Sequence, residues 1–325
     1  MFTRSAARPA SGRPVAEKRL AFAALALAGV LWGTSFLLGK VALTELGPTT
    51  LILYRFALAS AVLLPLVRWS GVPLGLPEWR LVLLGALLAG PLMFVMQFEG
   101  LARTTAASAA LLVAVAPPLL AIGAAVVDRE WPGRVTWAAV ALSSVGALAL
   151  VGGPGGGGAL LGDALCLLSM VAAVGWTLVS RRLGRRIGAW PATALQFAVG
   201  AVLLVPLALW RDGAPPLVLS APVAGAVLAL GLACTALTFG LWNWAVLRVE
   251  AAQAGVIANL EPLVGAVLGV ALLGETVGGW AVLGGALLLG AAYLTTRAEA
   301  RARGTLGAER PVAPAAAPAA VAPPP

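Results

Sequence analysis

The stretch EAAQAGVIANLEPLVGAVLGVALLGE, residues 250–275, is a second version of TAASAALLVAVAPPLLAIGAAVVDRE, residues 105–130. In the alignment of the two, Pro262 matches Pro117, and an acidic residue closes both stretches. Outside them, Trp176 occupies the place in its half that Trp32 occupies in the first. The second half of the chain therefore repeats the first, and this duplication decides the fold.

The composition is that of a chain built for a lipid environment. Hydrophobic residues make up 60% of it and charged residues only 11%, against about a quarter charged in soluble domains. Apolar runs such as LAFAALALAGVLWGTSFLLG (20–39) reach about 20 residues, enough helix to cross a hydrocarbon core of roughly 30 Å. A soluble bundle would show polar residues at every turn. The sequence predicts an all-α integral membrane protein.

We count ten transmembrane helices in two sets of five. They are predicted near 20–40, 48–68, 80–98, 105–127, 134–152, 160–181, 191–210, 222–243, 251–272 and 278–296. An odd number of helices in each half means that the second copy inserts upside down. The predicted organisation is a cytoplasmic N-terminal tail (1–19), a first five-helix repeat (20–152), a Gly-rich linker (153–159), a second five-helix repeat (160–297) and a disordered cytoplasmic tail (298–325). Inverted repeats around a site near the bilayer midplane are a common plan of secondary transporters.

The positive charge is a topology signal. The net charge is +9, and the basic residues gather in the loops that this topology puts on the side of both termini. The densest cluster is Arg181, Arg182, Arg185 and Arg186. By the positive-inside rule, we expect a multi-pass protein of the cell's inner (plasma) membrane with both termini in the cytoplasm. Anionic lipid is the expected partner of these charges, and nucleic acid is not.

The sequence offers little for chemistry that would need a cofactor. There is no histidine, so neither a His-based metal site nor an imidazole proton relay is available. The two cysteines, Cys166 and Cys234, fall in apolar segments without metal-ligand spacing. No G-x-x-x-x-G-K-[ST] loop is present. We expect no cofactor, no metal and no enzyme activity. The alternatives left open are a passive channel and a membrane-embedded lipid-group transferase, although the latter would need clustered acids.

Several motifs in this order resemble one known family. They are LWGTSFLLGK in the first helix, YRFALA in the second, APPLLAIGAAVVDRE from the fourth and EPLVGAVLGVALLGE from the ninth. Together they resemble the drug/metabolite transporter superfamily, in its EamA-type two-domain form, over residues 20 to 297. The resemblance implies a ten-helix carrier with a central cavity between the repeats, and many such carriers export amino acids and other metabolites. The first helix lacks the glutamate that small multidrug members use there, which weighs against that route of cation export.

Glu261 is the main candidate site residue. An ionised carboxylate at mid-depth costs several kcal/mol unless it is paired or hydrated, and Pro262 beside it disrupts the helical hydrogen bonds. A broken helix is tolerated where it faces protein or a water-filled cavity. Glu261 therefore either faces a cavity, where it binds a substrate amine or a proton, or has a structural role, in which it satisfies backbone groups freed by Pro262 or pairs with another buried group. Gln253, on the same side of an ideal helix, is its expected cavity partner.

Other polar and aromatic residues inside the helices are also candidates. Trp32 and Ser35 share a face of the first helix, and Trp176 and Thr177 lie on the matching stripe of the sixth. Each tryptophan is either a cavity wall or a packing residue. The full predicted substrate-binding set is Glu261, Gln253, Trp32, Ser35, Trp176, Thr177, Gln97 and Asn243.

A second group is assigned to structure or gating. It consists of Pro117, Pro262, Glu130, Glu275 and Arg55. The two glutamates lie at symmetric helix ends, where they mark termini or gates. Arg55 is predicted to pair with an acid such as Glu45, although it could also attract a substrate carboxylate.

These observations predict a secondary transporter that exports small metabolites such as amino acids by alternating access between the repeats. Its expected partners are a small-molecule substrate, membrane lipids and, as a coupling ion, protons. One chain can hold the whole pathway, so we expect a monomer.

Overall fold

The computed structural model describes residues 15–69, 78–128, 133–152, 160–245, 248, 254 and 257–308. Within these ranges the chain is helical, with no strand. The first repeat contains α1 (Val15–Ala42), α2 (Pro48–Trp69), α3 (Trp79–Leu87, Leu88–Val95 and Met96–Arg103), α4 (Ala106–Leu112, Val113–Val115 and Ala116–Asp128) and α5 (Arg134–Gly152). The second contains α6 (Leu160–Ile187), α7 (Ala189–Arg211), α8 (Ala221–Leu228, Ala229–Leu237 and Thr238–Ala245), α9 (Leu260–Leu273) and α10 (Gly279–Ala308).

The helices pack as a duplicated set. Equivalent helices meet in pairs: α2 packs against α7, and α5 packs against α10. The remaining contacts are exchanged between the halves, because α1 packs against α8 and α9 while α6 packs against α3 and α4. Such a pattern relates the two repeats by an approximate two-fold axis.

Contacts between helix ends show that the second repeat is inverted. Glu99 near the end of α3 pairs with Arg211 at the end of α7. The carboxylate of Glu275, just beyond α9, accepts a hydrogen bond from the backbone N–H of Ala106 at the start of α4. We call this end of the bundle the opposite face, and we call the end where α1 begins the N-terminal face.

The outside of the bundle suits lipid. Among the described residues, seven helices are long and apolar enough to cross a membrane, and three shorter apolar helices accompany them. Large apolar side chains are exposed on the outer surface, among them Leu148, Val126 and Val202. The prediction of an all-helical membrane fold is confirmed.

Two of the helices change their hydrogen-bond pattern at matching places. The middle segments of α3 and α8, Leu88–Val95 and Ala229–Leu237, are both π-helical. In α8, the hydroxyl of Thr235 donates to the carbonyl of Leu230, five residues earlier. The wider turn admits side chains of neighbouring helices, as π segments at functional sites often do.

The two prolines lie beside breaks rather than inside regular helix. In α4 a 3₁₀ segment, Val113–Val115, ends two residues before Pro117. α9 begins at Leu260, so Pro262 lies in its first turn. A proline there forfeits no hydrogen bond, because the first N–H groups of a helix have no partner within it. The chain is helical at Ile257 and Ala258, turns at Asn259 and resumes the helix at Leu260, so the helix is broken three residues before Pro262.

One boundary differs from the sequence expectation. α10 continues to Ala308, past residue 298, where we placed the start of a disordered tail. The added segment is rich in alanine and arginine, which are among the strongest helix formers.

Candidate functional site

A cavity of about 650 Å³ lies between the two repeats. Its walls come from four helices of the first repeat, α1 to α4, and from four of the second, α6 to α9. Volumes of a few hundred Å³ are typical of sites for small molecules. The cavity can therefore hold one small metabolite.

Most of the predicted substrate-binding residues line this cavity. They are Glu261, Trp32, Ser35, Trp176, Thr177, Gln97 and Asn243. Gln253 lies outside the described residues, as does Glu130 of the gating group. That the lining residues bind substrate stays a prediction.

Equivalent positions of the two repeats line the same cavity but carry different side chains. Ala116 of the first half and Glu261 of the second occupy equivalent places in the alignment, and both line the cavity. The first repeat therefore presents a methyl group where the second presents a carboxylate. An asymmetric site of this kind suits a substrate with one distinctive end.

The backbone around Glu261 explains why an acid is tolerated there. Glu261 lies in the first turn of α9, and the positive end of the helix dipole stabilises a negative charge at this place. No hydrogen bond or ion pair to the Glu261 carboxylate exists among the described residues. The carboxylate lines the cavity, so it is available to a ligand.

Aromatic rings form one wall of the cavity. The ring of Trp32 lies 5.5 Å from that of Phe239 and 5.2 Å from that of Trp242, centroid to centroid. On the other side of Phe239, the ring of Trp176 lies at 5.6 Å. Stacked and edge-to-face rings make a stiff apolar surface. Faces of tryptophan also attract cations.

Contrary to the prediction from the sequence, Arg55 does not pair with Glu45. Its side chain is buried, with 2% of the residue exposed. Its Nε donates to the hydroxyl of Thr235 at 2.7 Å, and one terminal nitrogen donates to the carbonyl of Cys234 at 3.3 Å. No acid among the described residues forms an ion pair with it, and the acid whose charge acts on it is Glu261. Glu45 lies exposed in the loop between α1 and α2, where its carboxylate accepts a hydrogen bond from the backbone N–H of Ser220.

The guanidinium of Arg55 is also held by aromatic rings. It lies 4.6 Å from the ring centroid of Phe94 and 5.6 Å from that of Phe98. Both phenylalanines come from α3. A cation over aromatic faces is stabilised more strongly where water is excluded. Arg55 is therefore fixed at the base of the cavity, which it lines.

Gln196, which we did not predict, does not line the cavity but supports its wall from behind. It is fully buried in α7, and its Oε1 accepts hydrogen bonds from Nε1 of Trp176 at 2.8 Å and from the hydroxyl of Ser180 at 2.9 Å. Gly85 leaves the space for it, since a Cβ there would lie 2.1 Å from Nε2 of Gln196. The signal was present in the sequence as a polar amide inside the apolar run PATALQFAVG (191–200). Polar groups in membrane helices usually have partners.

At the opposite face, Glu275 joins the two repeats. Its two carboxylate oxygens accept hydrogen bonds from the backbone N–H groups of Ala106 at 2.6 Å and Ala107 at 2.9 Å. These are unpaired donors at the start of α4, where a negative charge is stabilised. Gly269 makes room for the carboxylate, since a Cβ there would lie 2.5 Å from its Oε2. We call this contact the Glu275 latch.

Further polar contacts surround the latch. Lys40 donates to the backbone carbonyl of Thr104, whose hydroxyl donates to Asp163 of α6. Glu99 is buried and pairs with Arg103 and, at 2.7 Å, with Arg211. Each of the contacts with Asp163 and Arg211 joins the first repeat to the second. The opposite face is thus closed by hydrogen bonds and ion pairs.

The loops at this face are tied down as well. The carboxylate of Asp212 accepts a hydrogen bond from the backbone N–H of Thr50 at 2.7 Å. Glu45 accepts one from the backbone N–H of Ser220 at 3.1 Å. Hydrogen bonds from the side chain and backbone of Ser220 lower the pKa of Glu45 from its ordinary value.

The cavity opens toward the N-terminal face. Its lining extends to Arg181 and Arg185 near the end of α6 and to Ala189 at the start of α7, and all three residues are exposed. Arg186, beside them, pairs with Glu78 at the start of α3. The structure therefore has a cavity that is open at one face and closed at the other.

The sequence is similar to a family of membrane transporters and to individual proteins named as transporters. The sequence profile of the EamA-like transporter family matches residues 19–152 and 160–297. An uncharacterized transporter of Archaeoglobus fulgidus is 28% identical over 279 residues, covering 84% of this chain and 96% of its own. A probable terminal-alkyne amino-acid exporter of Streptantibioticus cattleyicolor is 29% identical over 288 residues, covering 84% of this chain and 92% of its own.

A solved crystal structure also shares the fold. It superposes with a TM-score of 0.62 at 20% identity, covering 90% of this chain and 99% of that one. At that identity the likeness concerns the fold alone.

Proposed function

The chain belongs to the EamA-like transporter family of the drug/metabolite transporter superfamily, and from this membership we propose that it is a secondary carrier exporting small metabolites such as amino acids. Family and relatives make it a multi-pass membrane transporter and not an enzyme. The name of the Streptantibioticus relative supports amino acids as the substrate class.

One observation carries the mechanism: the cavity opens at the N-terminal face and is closed at the opposite face by contacts between the repeats. In alternating access, a second state would reverse this arrangement by rocking one repeat against the other. Substrate enters the cavity in the state described here. Breaking the Glu275 latch and its neighbours then releases it on the other side.

The orientation follows from charge. The arginine cluster at the end of α6 lies at the N-terminal face, together with Arg248 and Arg80. We therefore assign that face, and both termini, to the cytoplasm and the protein to the inner (plasma) membrane. In this orientation the cavity faces the cytoplasm, as an exporter's loading state requires. Both repeats of the chain contribute walls to the cavity, and we propose a monomeric carrier.

Glu261 has two proposed roles in this cycle. It binds the ammonium group of a substrate, or it exchanges a proton that couples transport to the gradient. Both roles use a carboxylate that lines the cavity, has no hydrogen bond or ion pair among the described residues, and interacts electrostatically with Arg55.

The test is flux in liposomes that contain the purified protein. A panel of labelled amino acids and other small metabolites is measured with and without a pH gradient. A carrier gives saturable flux and accelerated exchange when unlabelled substrate is present on the far side. Flux that rises linearly with concentration, with no exchange, would identify a channel and reject the proposal.

A further inference from the structure

Positively charged residues outnumber negatively charged ones in the described lining of the cavity. Those described in its lining are Arg55, Arg181, Arg185 and Glu261, three guanidinium groups against one carboxylate. The rest of the lining is largely apolar and aromatic. Low-dielectric walls focus the field of such charges into the cleft. The cavity is therefore electropositive.

Arg55 has hydrogen-bonding capacity left over at the base of this cavity. A guanidinium carries five N–H donors, and the described residues accept from only its Nε and one terminal nitrogen. Only 2% of the residue is exposed. No Arg55 nitrogen is among the buried atoms that lack a partner, so its remaining donors face the cavity, where Glu261 is the acid whose charge acts on the guanidinium. The planar fork of arginine matches a carboxylate in a bidentate pair.

Two more arginines lie at the mouth. Arg181 and Arg185 are one helical turn apart on α6, so they share a face, and both line the cavity. The described residues contain no acid in an ion pair with either one. Their neighbour Arg182 does not line the cavity. If Arg181 and Arg185 served only to orient the protein in the membrane, they would not need to face the cavity.

We infer that the transported substrate carries a carboxylate, which Arg181 and Arg185 attract at the mouth and Arg55 binds at the base. This inference rests on the proposed carrier function, because it concerns the substrate of that carrier. Mouth charges raise the local concentration of an anionic group and the rate at which it enters. The buried guanidinium then holds that group with charge-assisted hydrogen bonds.

The electropositive cavity can be measured without knowing the substrate. Thr177, between base and mouth, is replaced by cysteine in a chain with Cys166→Ala and Cys234→Ala. Anionic and cationic methanethiosulfonate reagents of similar size are then reacted with the protein in detergent. Each rate is divided by the rate of the same reagent with a free thiol in solution.

The expected result is faster reaction of the anionic reagent relative to the cationic one. In Arg181→Gln/Arg185→Gln the ratio falls roughly tenfold at low salt, as Coulomb interactions over about 10 Å allow. High salt reduces the difference, because exposed charges are screened. Arg182→Gln is the matched control and leaves the ratio unchanged. Asn243→Cys provides a second reporter if Thr177→Cys does not fold.

Substrate class is tested by protection of the same cysteine. The probes are L-phenylalanine, L-glutamate and 3-phenylpropionate, which have a carboxylate, and phenethylamine, which has none. We expect carboxylates to slow the labelling and Arg55→Gln to abolish that protection. Protection by phenethylamine alone, protection by no carboxylate, or an equal effect of Arg182→Gln on the reagent ratio would overturn the inference. Saturable flux of a compound without a carboxylate would overturn it while leaving the carrier function intact.

Discussion

Gly33 of α1 lies directly against Glu261 of α9: a Cβ at position 33 would be 2.6 Å from the backbone carbonyl oxygen of Glu261. The same Cβ would be 2.7 Å from Cβ of Val264 and 3.0 Å from the backbone nitrogen of Gly265. The two helices therefore touch through their backbones at the residue that carries the acid of the cavity. Small residues allow this approach in membrane helices.

Gly33→Ala is expected to destabilise the protein and displace Glu261. The added methyl group collides with backbone atoms that cannot turn aside, and overpacking of this kind costs about 1–3 kcal/mol. We expect a lower melting temperature in detergent and reduced transport. Gly175→Ala is the control, since the nearest atoms to its Cβ are side-chain atoms of Leu88 at 3.5 Å. Equal melting temperatures for the two variants would contradict this account of the helix contact.

Thr235→Val is expected to weaken substrate binding through Arg55. The substitution keeps the size of the side chain but removes the hydroxyl that accepts from Nε of Arg55. Loss of a charged hydrogen bond costs about 1.5–3 kcal/mol, so we expect the KM for transport to rise roughly tenfold or more. Thr34→Val removes a hydroxyl that donates only within its own helix, and its KM should match the wild type. Unchanged transport in Thr235→Val would show that the position of Arg55 does not matter.

Gln196→Leu is expected to loosen the tryptophan wall. It leaves the indole N–H of Trp176 and the hydroxyl of Ser180 without their acceptor, at a cost of about 1–3 kcal/mol for an unsatisfied buried group. Thermal unfolding and tryptophan fluorescence measure the effect. In Gln196→Leu/Trp176→Phe the unpaired indole N–H is gone, so the double variant should be less destabilised than the sum of the single changes. Strict additivity would mean that the two side chains do not depend on each other.

Glu275→Gln is expected to open the opposite face. The amide oxygen can accept from one N–H at the start of α4, but the charge and the second hydrogen bond are lost. The variant is expected to lose roughly 1.4 kcal/mol of stabilisation of the state that is closed at the opposite face. A membrane-impermeant thiol reagent added to cells should therefore label a cysteine at position 35 (Ser35→Cys) about tenfold faster than it does without Glu275→Gln. Glu45→Gln, which alters an exposed loop contact at the same face, serves as the control. Labelling that is equally slow in both variants would remove Glu275 from the gate.

The helical membrane fold and the internal repeat could be predicted from the sequence. The first depends on local hydrophobic composition, and the second on similarity within the chain. Apolar runs of about 20 residues predict helices wherever they occur, and the match of 105–130 with 250–275 predicts a second copy of each feature. The inverted insertion follows from the odd number of helices. Trp32, Trp176 and Glu261 were candidates because each is unusual in an apolar helix.

The partners of these residues could not be read in the same way. Arg55 is held by Thr235 and Cys234, and their distance along the chain leaves no pattern in a single sequence. Gln196 was missed for a similar reason, since its role depends on Trp176 in another helix. Glu99 pairs with Arg103 and Arg211, and the second of these lies in the other repeat, where no spacing in the sequence indicates it. Which helices meet is decided by packing across the whole bundle.

The central claim is that Glu261 lies in the substrate site of a carrier, and liposome flux of wild type and Glu261→Gln tests it most directly. Both proteins are reconstituted, their folding is verified by thermal unfolding, and exchange of one transported metabolite is followed in each. We predict saturable exchange in the wild type and its loss in Glu261→Gln, with Glu45→Gln behaving as the wild type. Full, gradient-dependent exchange by Glu261→Gln would contradict the claim and make Glu261 a structural residue.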